Sequence, residues 1–205
     1  MIRIIDYKAG NAPSVMSSVR HLGFNAEYAR SAQELSDATC VILPGVGSAK
    51  ATMESLKAMN ILTQLEKAVL KEKVLFLGVC VGMQILFEHS EEEKTEGLGW
   101  FKGRVVKFDP AKVRVPQMGW NKVKFIKNTP VPTEDVNNAH FYYVNSYHAV
   151  VDDSADLWGV SDYNGELTAC VQRDNIYAIQ FHAEISGEIG LKLIKNFLDT
   201  GVKIC

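Results

Sequence analysis

Val74–Phe87 reads VLFLGVCVGMQILF. Val74–Leu77 is apolar and β-rich, as a buried parallel strand would be, and Met83–Phe87 is apolar with good helix formers. Between them stands Gly78-Val79-Cys80-Val81-Gly82, a G-x-C-x-G turn. A strand, a G-x-nucleophile-x-G turn and a helix form the elbow that holds a nucleophile on a strained turn above a sheet. A thiol at a helix start meets unpaired N–H groups and the positive end of the helix dipole, which favour its thiolate. The N–H of Val81 can also face an oxyanion. An isolated G-x-C-x-G is read equally well as a buried structural cysteine, so the elbow needs a base from elsewhere.

The 205 residues, 47% hydrophobic, suit a single domain spanning 1–205 with a substantial core. A net charge of -2 with dispersed Lys and Arg offers no footprint for nucleic acid. The opening MIRIIDY has no long apolar core and no run is long enough to span a bilayer, so a cytoplasmic protein without membrane contact is expected. Cys40, Cys80, Cys170 and Cys205 are scattered, with no CxxC pair or metal-ligand spacing. They read as reduced thiols, with no metal or cofactor implied and only Cys80 in a reactive setting.

Upstream, Ile2–Ile5, Ala26–Ala29 and Cys40–Leu43 read as strands, alternating with helical stretches near Ser14–Leu22 and Gln33–Ser36. That alternation favours a doubly wound α/β sheet. Asp6 at the first strand end is explained by turn or capping duty. Cys40–Leu43 runs into Pro44-Gly45-Val46-Gly47-Ser48, then helical Lys50–Met59 and Leu62–Lys71. A glycine-flanked valine at a strand's carboxyl end can supply a second oxyanion donor, though an ordinary βα turn would look the same. Glu88–Glu93 reads as a solvated helix end, which makes His89 a weak candidate base. Gly97–Gly103 reads as a loop. Val105–Phe108 and Val113–Val115 read as shorter β-like pieces and Lys122–Ile126 as a strand, whereas Phe141–Val144, Ala149–Val151, Leu157–Ser161, Thr168–Gln172 and Tyr177–Phe181 read as short strands of an antiparallel extension, and Glu188–Leu198 as a terminal amphipathic helix.

The base is found after the last strand, in Gln180-Phe181-His182-Ala183-Glu184. Glu184, two residues beyond His182, can accept from one imidazole nitrogen while the other addresses a thiol. A lone histidine at a strand end is more often structural. An elbow cysteine, a glycine loop and a late H-x-E together are better explained by a Cys-His-Glu relay.

Taken in order, DYKAGN (Asp6–Asn11), LPGVG (Leu43–Gly47), LGVCVGMQILFEHSEE (Leu77–Glu92), PQMGWN (Pro116–Asn121), YYVNSY (Tyr142–Tyr147) and QFHAEISGEIG (Gln180–Gly190) resemble the class I glutamine amidotransferases over nearly the whole chain. Within that class they are most similar to the glutaminase subunits of imidazole glycerol phosphate synthases. The resemblance implies a flavodoxin-like three-layer α/β fold, with a mostly parallel central sheet and an antiparallel β extension. It implies a triad of Cys80, His182 and Glu184, an oxyanion loop at Gly45, Val46 and Gly47, and glutamine recognition by Gln84, Glu92, Ser146 and Tyr147 with backbone near Gly47. It also implies a heterodimer with a (β/α)8 cyclase that consumes the ammonia in histidine biosynthesis, and a glutaminase that is poor until that partner docks.

Four positions depart from the family pattern. Ala183 stands where proline is usual, Ile185 where a basic residue is, Asn145 where histidine is, and Ala12-Pro13 where leucine or isoleucine follows the asparagine. Ile185 and the residues near Asn11 lie where the family meets its synthase. The rival readings are a paralogue supplying ammonia to a nucleotide-sugar or surface polysaccharide precursor, and a non-catalytic regulatory subunit of the same fold. A DJ-1-like or protease-like cysteine hydrolase commonly has histidine directly after its nucleophile, where this chain has Val81.

Overall fold

The structure, a computed structural model, describes residues 1–8 and 10–204. Ala9 of the DYKAGN turn and Cys205 lie outside the described residues. In chain order the elements are β1 (Ile2–Ile5), α1 (Ala12–His21), β2 (Ala26–Ala29), β3 (Cys40–Leu43), α2 (Ala49–Ala58), α3 (Leu62–Glu66), β4 (Leu75–Val79) and α4 (Val81–Gln84). There follow β5 (Phe87–Ser90), β6 (Thr95–Glu96), β7 (Phe101–Lys107), β8 (Gln117–Lys122), β9 (Lys124–Phe125), β10 (His140–Asn145), β11 (Tyr147–Val151), β12 (Leu157–Asp162), β13 (Glu166–Arg173), β14 (Ile176–Ile179) and α5 (Gly187–Ile204).

The main sheet has the order β2-β1-β3-β4-β14-β13-β12-β9. From β2 to β14 the strands run parallel, and β13, β12 and β9 continue the sheet antiparallel. The mostly parallel sheet with an antiparallel extension is thus as expected, but its membership differs: β14, read as part of the extension, pairs parallel with β4, and β7, β10 and β11 belong to two smaller sheets. β3 and β4 are buried along their whole length, which is why they read as unbroken apolar runs rather than alternating ones. β1 feeds toward β2 on one side while β3 feeds toward β4 on the other, so the loops after β1 and β3 part at a topological switch point. Ligands of open α/β sheets bind at such a crevice.

The main surprise follows the elbow. Helix formers over Met83–Phe87 suggested a helix running into a charged, solvated end, but α4 stops after four residues and Phe87–Ser90 is a strand. The carbonyls of Ile85, Leu86 and Phe87 accept from the N–H groups of Leu98, Phe101 and Gly99. Phe87 and Phe101, both fully buried, pack with ring centroids 5.9 Å apart. Tertiary pairing overrides a weak helical preference here, and the order β11-β7-β5-β6 gives a small second sheet. β7 accordingly replaces part of the loop expected over 97–103, and β6 lies just before it. Among the described residues no strand forms at Val113–Val115, whereas PQMGWN is mostly β8, paired with β10.

Candidate active site

Cys80 has φ 55° and ψ -109°, a conformation costly for any residue with a side chain. It is fixed from both sides: its N–H donates to Ile179 at 2.8 Å, and its carbonyl accepts from Met83 and Gln84 at 2.9 and 3.1 Å. Close approach explains the small residues: a Cβ on Gly82 would run into the Leu43 carbonyl, and one on Gly45 would lie 2.6 Å from the Gly82 nitrogen. The Pro44–Ser48 turn therefore rests directly on the elbow. The brevity of α4 corrects one expectation. Four residues make a small dipole, so the first-turn N–H groups of Val81 and Gly82, which have no intrahelical acceptor, matter more than a macrodipole.

His182 and Glu184 follow β14, which lies beside β4. His182 Nδ1 and Glu184 Oε1 are 2.7 Å apart, with the Glu184 side chain only 1% exposed. Burial alone would pull the imidazolium down. The hydrogen bond to Cys80 and that to Glu184, with the charges of both, outweigh it, so the His182 pKa is pushed up to about 10. His182 thus faces Cys80 as a proton carrier with a carboxylate behind it. The turn is set without proline at Ala183: the His182 N–H donates to Tyr142, Ser186 Oγ donates to the His182 carbonyl at 2.6 Å, and the Tyr142 N–H donates to Ser186 Oγ at 2.9 Å. The departure at Ala183 leaves the relay geometry intact.

A cleft of about 260 Å³ opens above the thiol, and it brings together Val46, Gly47, Cys80, Val81, Gln84, Glu92, Ser146, Tyr147 and His182. Its size suits an amino acid better than a larger ligand. Gln84 Nε2 is spent on the Tyr147 carbonyl and Gln180 Oε1, both at 3.0 Å, which leaves its own oxygen as acceptor for a substrate. Glu92, half-buried, accepts from the Ala49 N–H at 2.7 Å, and its pKa is raised by burial against that bond. It is an acceptor suited to an α-ammonium. Gly45 touches the elbow and does not line the cleft. His89, on β5, does not line it either.

The two expected oxyanion donors on the glycine loop differ from the rigid elbow. Gly47 has φ +92° with nothing near its absent Cβ, and Val46 is 36% exposed. The buried Tyr7 hydroxyl has its pKa raised by burial, against hydrogen bonds from Thr52, whose Oγ1 is 3.5 Å away, and from the Val46 N–H. The Val46 amide thus stands beside the Tyr7 hydroxyl.

Three residues were not assigned a role from the sequence. Gln180, fully buried, donates from Nε2 toward Cys80 Sγ at 3.6 Å and links the thiol to Gln84. Its place two residues before His182, on the same side of an extended chain, was the available signal. Tyr7 carried no signal beyond its motif. Asn11 donates to Glu184. The other described thiols are inert: burial pushes Cys40 up to about 12 and Cys170 well above its usual value. Asn145 is buried with Nδ2 on the Tyr147 carbonyl at 2.9 Å, and Ile185, whose N–H donates to the His182 carbonyl at 3.3 Å, is exposed.

The sequence matches the family model for glutamine amidotransferase class-I over residues 3–200. It is 42% identical over 200 residues to imidazole glycerol phosphate synthase subunit HisH of Methanocaldococcus jannaschii, covering 97% of this chain and 99% of that protein. It is 40% identical over 199 residues to imidazole glycerol phosphate synthase subunit HisH 2 of Methanococcus maripaludis, covering 97% and 98%. Among solved structures, a glutamine amidotransferase superposes with a TM-score of 0.78 at 17% identity, covering 98% of both chains. PurLQS from Thermotoga maritima superposes with a TM-score of 0.77 at 20% identity, covering 97% of both chains.

Proposed function

Since the chain belongs to the class I glutamine amidotransferase family, we propose that the cleft above Cys80 hydrolyses glutamine to glutamate and ammonia as the glutaminase subunit of an imidazole glycerol phosphate synthase in histidine biosynthesis. The observation that carries this reading is the strained Cys80 turn facing a buried His182–Glu184 pair across an amino-acid-sized cleft. The Cys80 thiolate attacks the side-chain carboxamide carbon, and the negative charge moves to the carbonyl oxygen. Val81 N–H and a donor from Val46 or Gly47 receive that oxyanion. His182 gives its proton to the departing ammonia as the C–N bond breaks, which leaves a glutamyl thioester. A water attacks the thioester with His182 as base, the thiolate leaves, and glutamate is released. Glu184 orients and charges the imidazole throughout. Gln84 Oε1, Glu92, Ser146 and Tyr147 hold the amino-acid end of the substrate.

The ammonia acceptor is a (β/α)8 cyclase docked at the cleft mouth. Met118 and Trp120 on β8 and Ile185 beyond His182 are 65%, 57% and 49% exposed, and Trp120 packs edge-on to Tyr142, whose carbonyl holds the His182 N–H. Such an exposed apolar group beside a reactive centre supports a docking face. Ile185 makes no salt bridge there and packs on apolar partner surface. The test is Cys80→Ser in the assembled synthase. It abolishes glutamine-dependent synthesis and leaves ammonia-dependent synthesis at the wild-type rate. Equal loss from both nitrogen sources makes the cysteine structural and overturns the assignment.

A further inference from the structure

Asn11 stands at the N-cap of α1, where an asparagine side chain ordinarily accepts from the helix's own N–H groups, yet it makes no capping bond. Pro13 in the first turn already removes one of the orphan donors that a cap would serve. The Asn11 side chain is turned the other way. Its Nδ2 donates to Glu184 Oε1, the oxygen that also holds His182 Nδ1, and it lies 3.5 Å from Nδ1 itself. Among the described residues, Glu184 Oε2 is buried without a partner and the ion pair of this carboxylate is with His182. A buried carboxylate so sparsely served is sensitive to each donor it keeps.

We propose that Asn11 is a positioning residue of the reaction, holding Glu184 Oε1 where it can aim His182 at Cys80. The inference rests on the relay reading above. A neutral amide suits the place. It anchors the carboxylate by a charge-assisted bond without bringing a positive charge that would compete with the imidazolium. It also brings the β1–α1 connection into the site, so that the relay joins loops from three strand ends, those of β1, β4 and β14.

Serine and aspartate cap helices about as well as asparagine, which separates this role from a structural one. The experiment compares Asn11→Ala, Asn11→Ser and Asn11→Asp in the full chain. It reads glutamate release with the cyclase, and iodoacetamide alkylation followed at Cys80 across pH. Ala and Ser are expected to lower kcat roughly 10- to 100-fold at unchanged KM, the range for one hydrogen bond to a charged group. Asp is expected to be worse than either near neutral pH, because two adjacent carboxylates resist ionising together. Its deficit then narrows as pH falls and the added carboxyl becomes a donor. Ser and Asp variants that match wild type at every pH overturn the proposal. His182→Ala distinguishes the two failures. If it leaves alkylation and turnover intact, the relay itself is wrong; if it removes both while the Asn11 variants match wild type, only the role of Asn11 falls.

Discussion

The turn around Cys80 and the turn around Val46 meet at one thiol, and they differ in how many ways each is held. Three backbone hydrogen bonds, the packed glycine at 82 and a neighbouring strand on each side fix the first. The second has a left-handed Gly47 in open space, a partly exposed valine, and an amide beside the Tyr7 hydroxyl. Strain at Cys80 is over-determined by its surroundings, so the nucleophile is poised whether or not an acceptor for ammonia is present. The oxyanion donor is the part that one peptide rotation can present or withdraw. An enzyme whose product is lost by diffusion benefits from this division, with rigid chemistry and a movable switch.

Breaking the rigid side has the largest expected effect. Gly82→Ala drives a Cβ into the Leu43 carbonyl, a backbone atom that cannot step aside, so the elbow itself must move. Displacement of a reacting group by about 1 Å costs on the order of 10²-fold. Glutaminase activity should fall at least that far, with a lowered melting temperature. Gly47→Ala meets no neighbour and bears only a left-handed backbone cost of roughly 1–2 kcal/mol. It should change partner activation more than melting temperature. Rate and melting measurements that rank the two glycines the other way would refute the contrast.

The elbow side is also held by charge, which gives a pH test of intermediate size. The folded pKa of His182, about 10, lies above its ordinary 6.5. Its contribution to stability is therefore fully present below pH 6.5 and is lost as pH rises through about 10. The proton donor for departing ammonia persists over the same span. Glutaminase activity should hold to the alkaline side of neutrality and then fall about tenfold per pH unit above the His182 pKa. The denaturant midpoint of wild type should converge on that of His182→Gln across the same window. A descending limb near pH 7 shows that the imidazolium is not held by its two partners.

Much of this arrangement was legible because parallel strands and their loops write themselves locally. β3, β4 and the turn between β4 and α4 are contiguous apolar runs and small residues, and His182 and Glu184 stand two apart after the last strand. The second sheet was not legible, since pairing of Phe87 with Phe101 depends on residues whose own pattern favours a helix at one end and a loop at the other. Gln180, Tyr7 and Asn11 were missed for a related reason. Each acts through an atom that only the folded chain brings near: a sulfur 100 positions away, an amide after β3, a carboxylate after β14. Asn11 was further disguised by standing where a capping asparagine is ordinary.

The smallest effect sharpens the comparison most, because it tests the movable side without touching the thiol. Tyr7 is buried, its hydroxyl 3.5 Å from Thr52 Oγ1 and close to the Val46 N–H. Tyr7→Phe keeps the ring that packs under Gly10 and removes only the acceptor. The Val46 amide then loses a nearby acceptor, and the balance should move toward conformers that present it to the cleft. A hydrogen bond of this kind is worth about 0.5–1.5 kcal/mol, or roughly 2- to 13-fold in such a balance. Basal glutamate release by the chain alone should rise by a factor in that range. The fully activated rate with the cyclase and its nucleotide should stay the same, because a partner that already turns the peptide gains nothing from removing the acceptor. The activation ratio therefore falls by the factor by which the basal rate rises, as required when one equilibrium underlies both. A basal rate that stays level or drops shows that Tyr7 does not restrain Val46, and the oxyanion switch must then be sought at the Gly47 peptide.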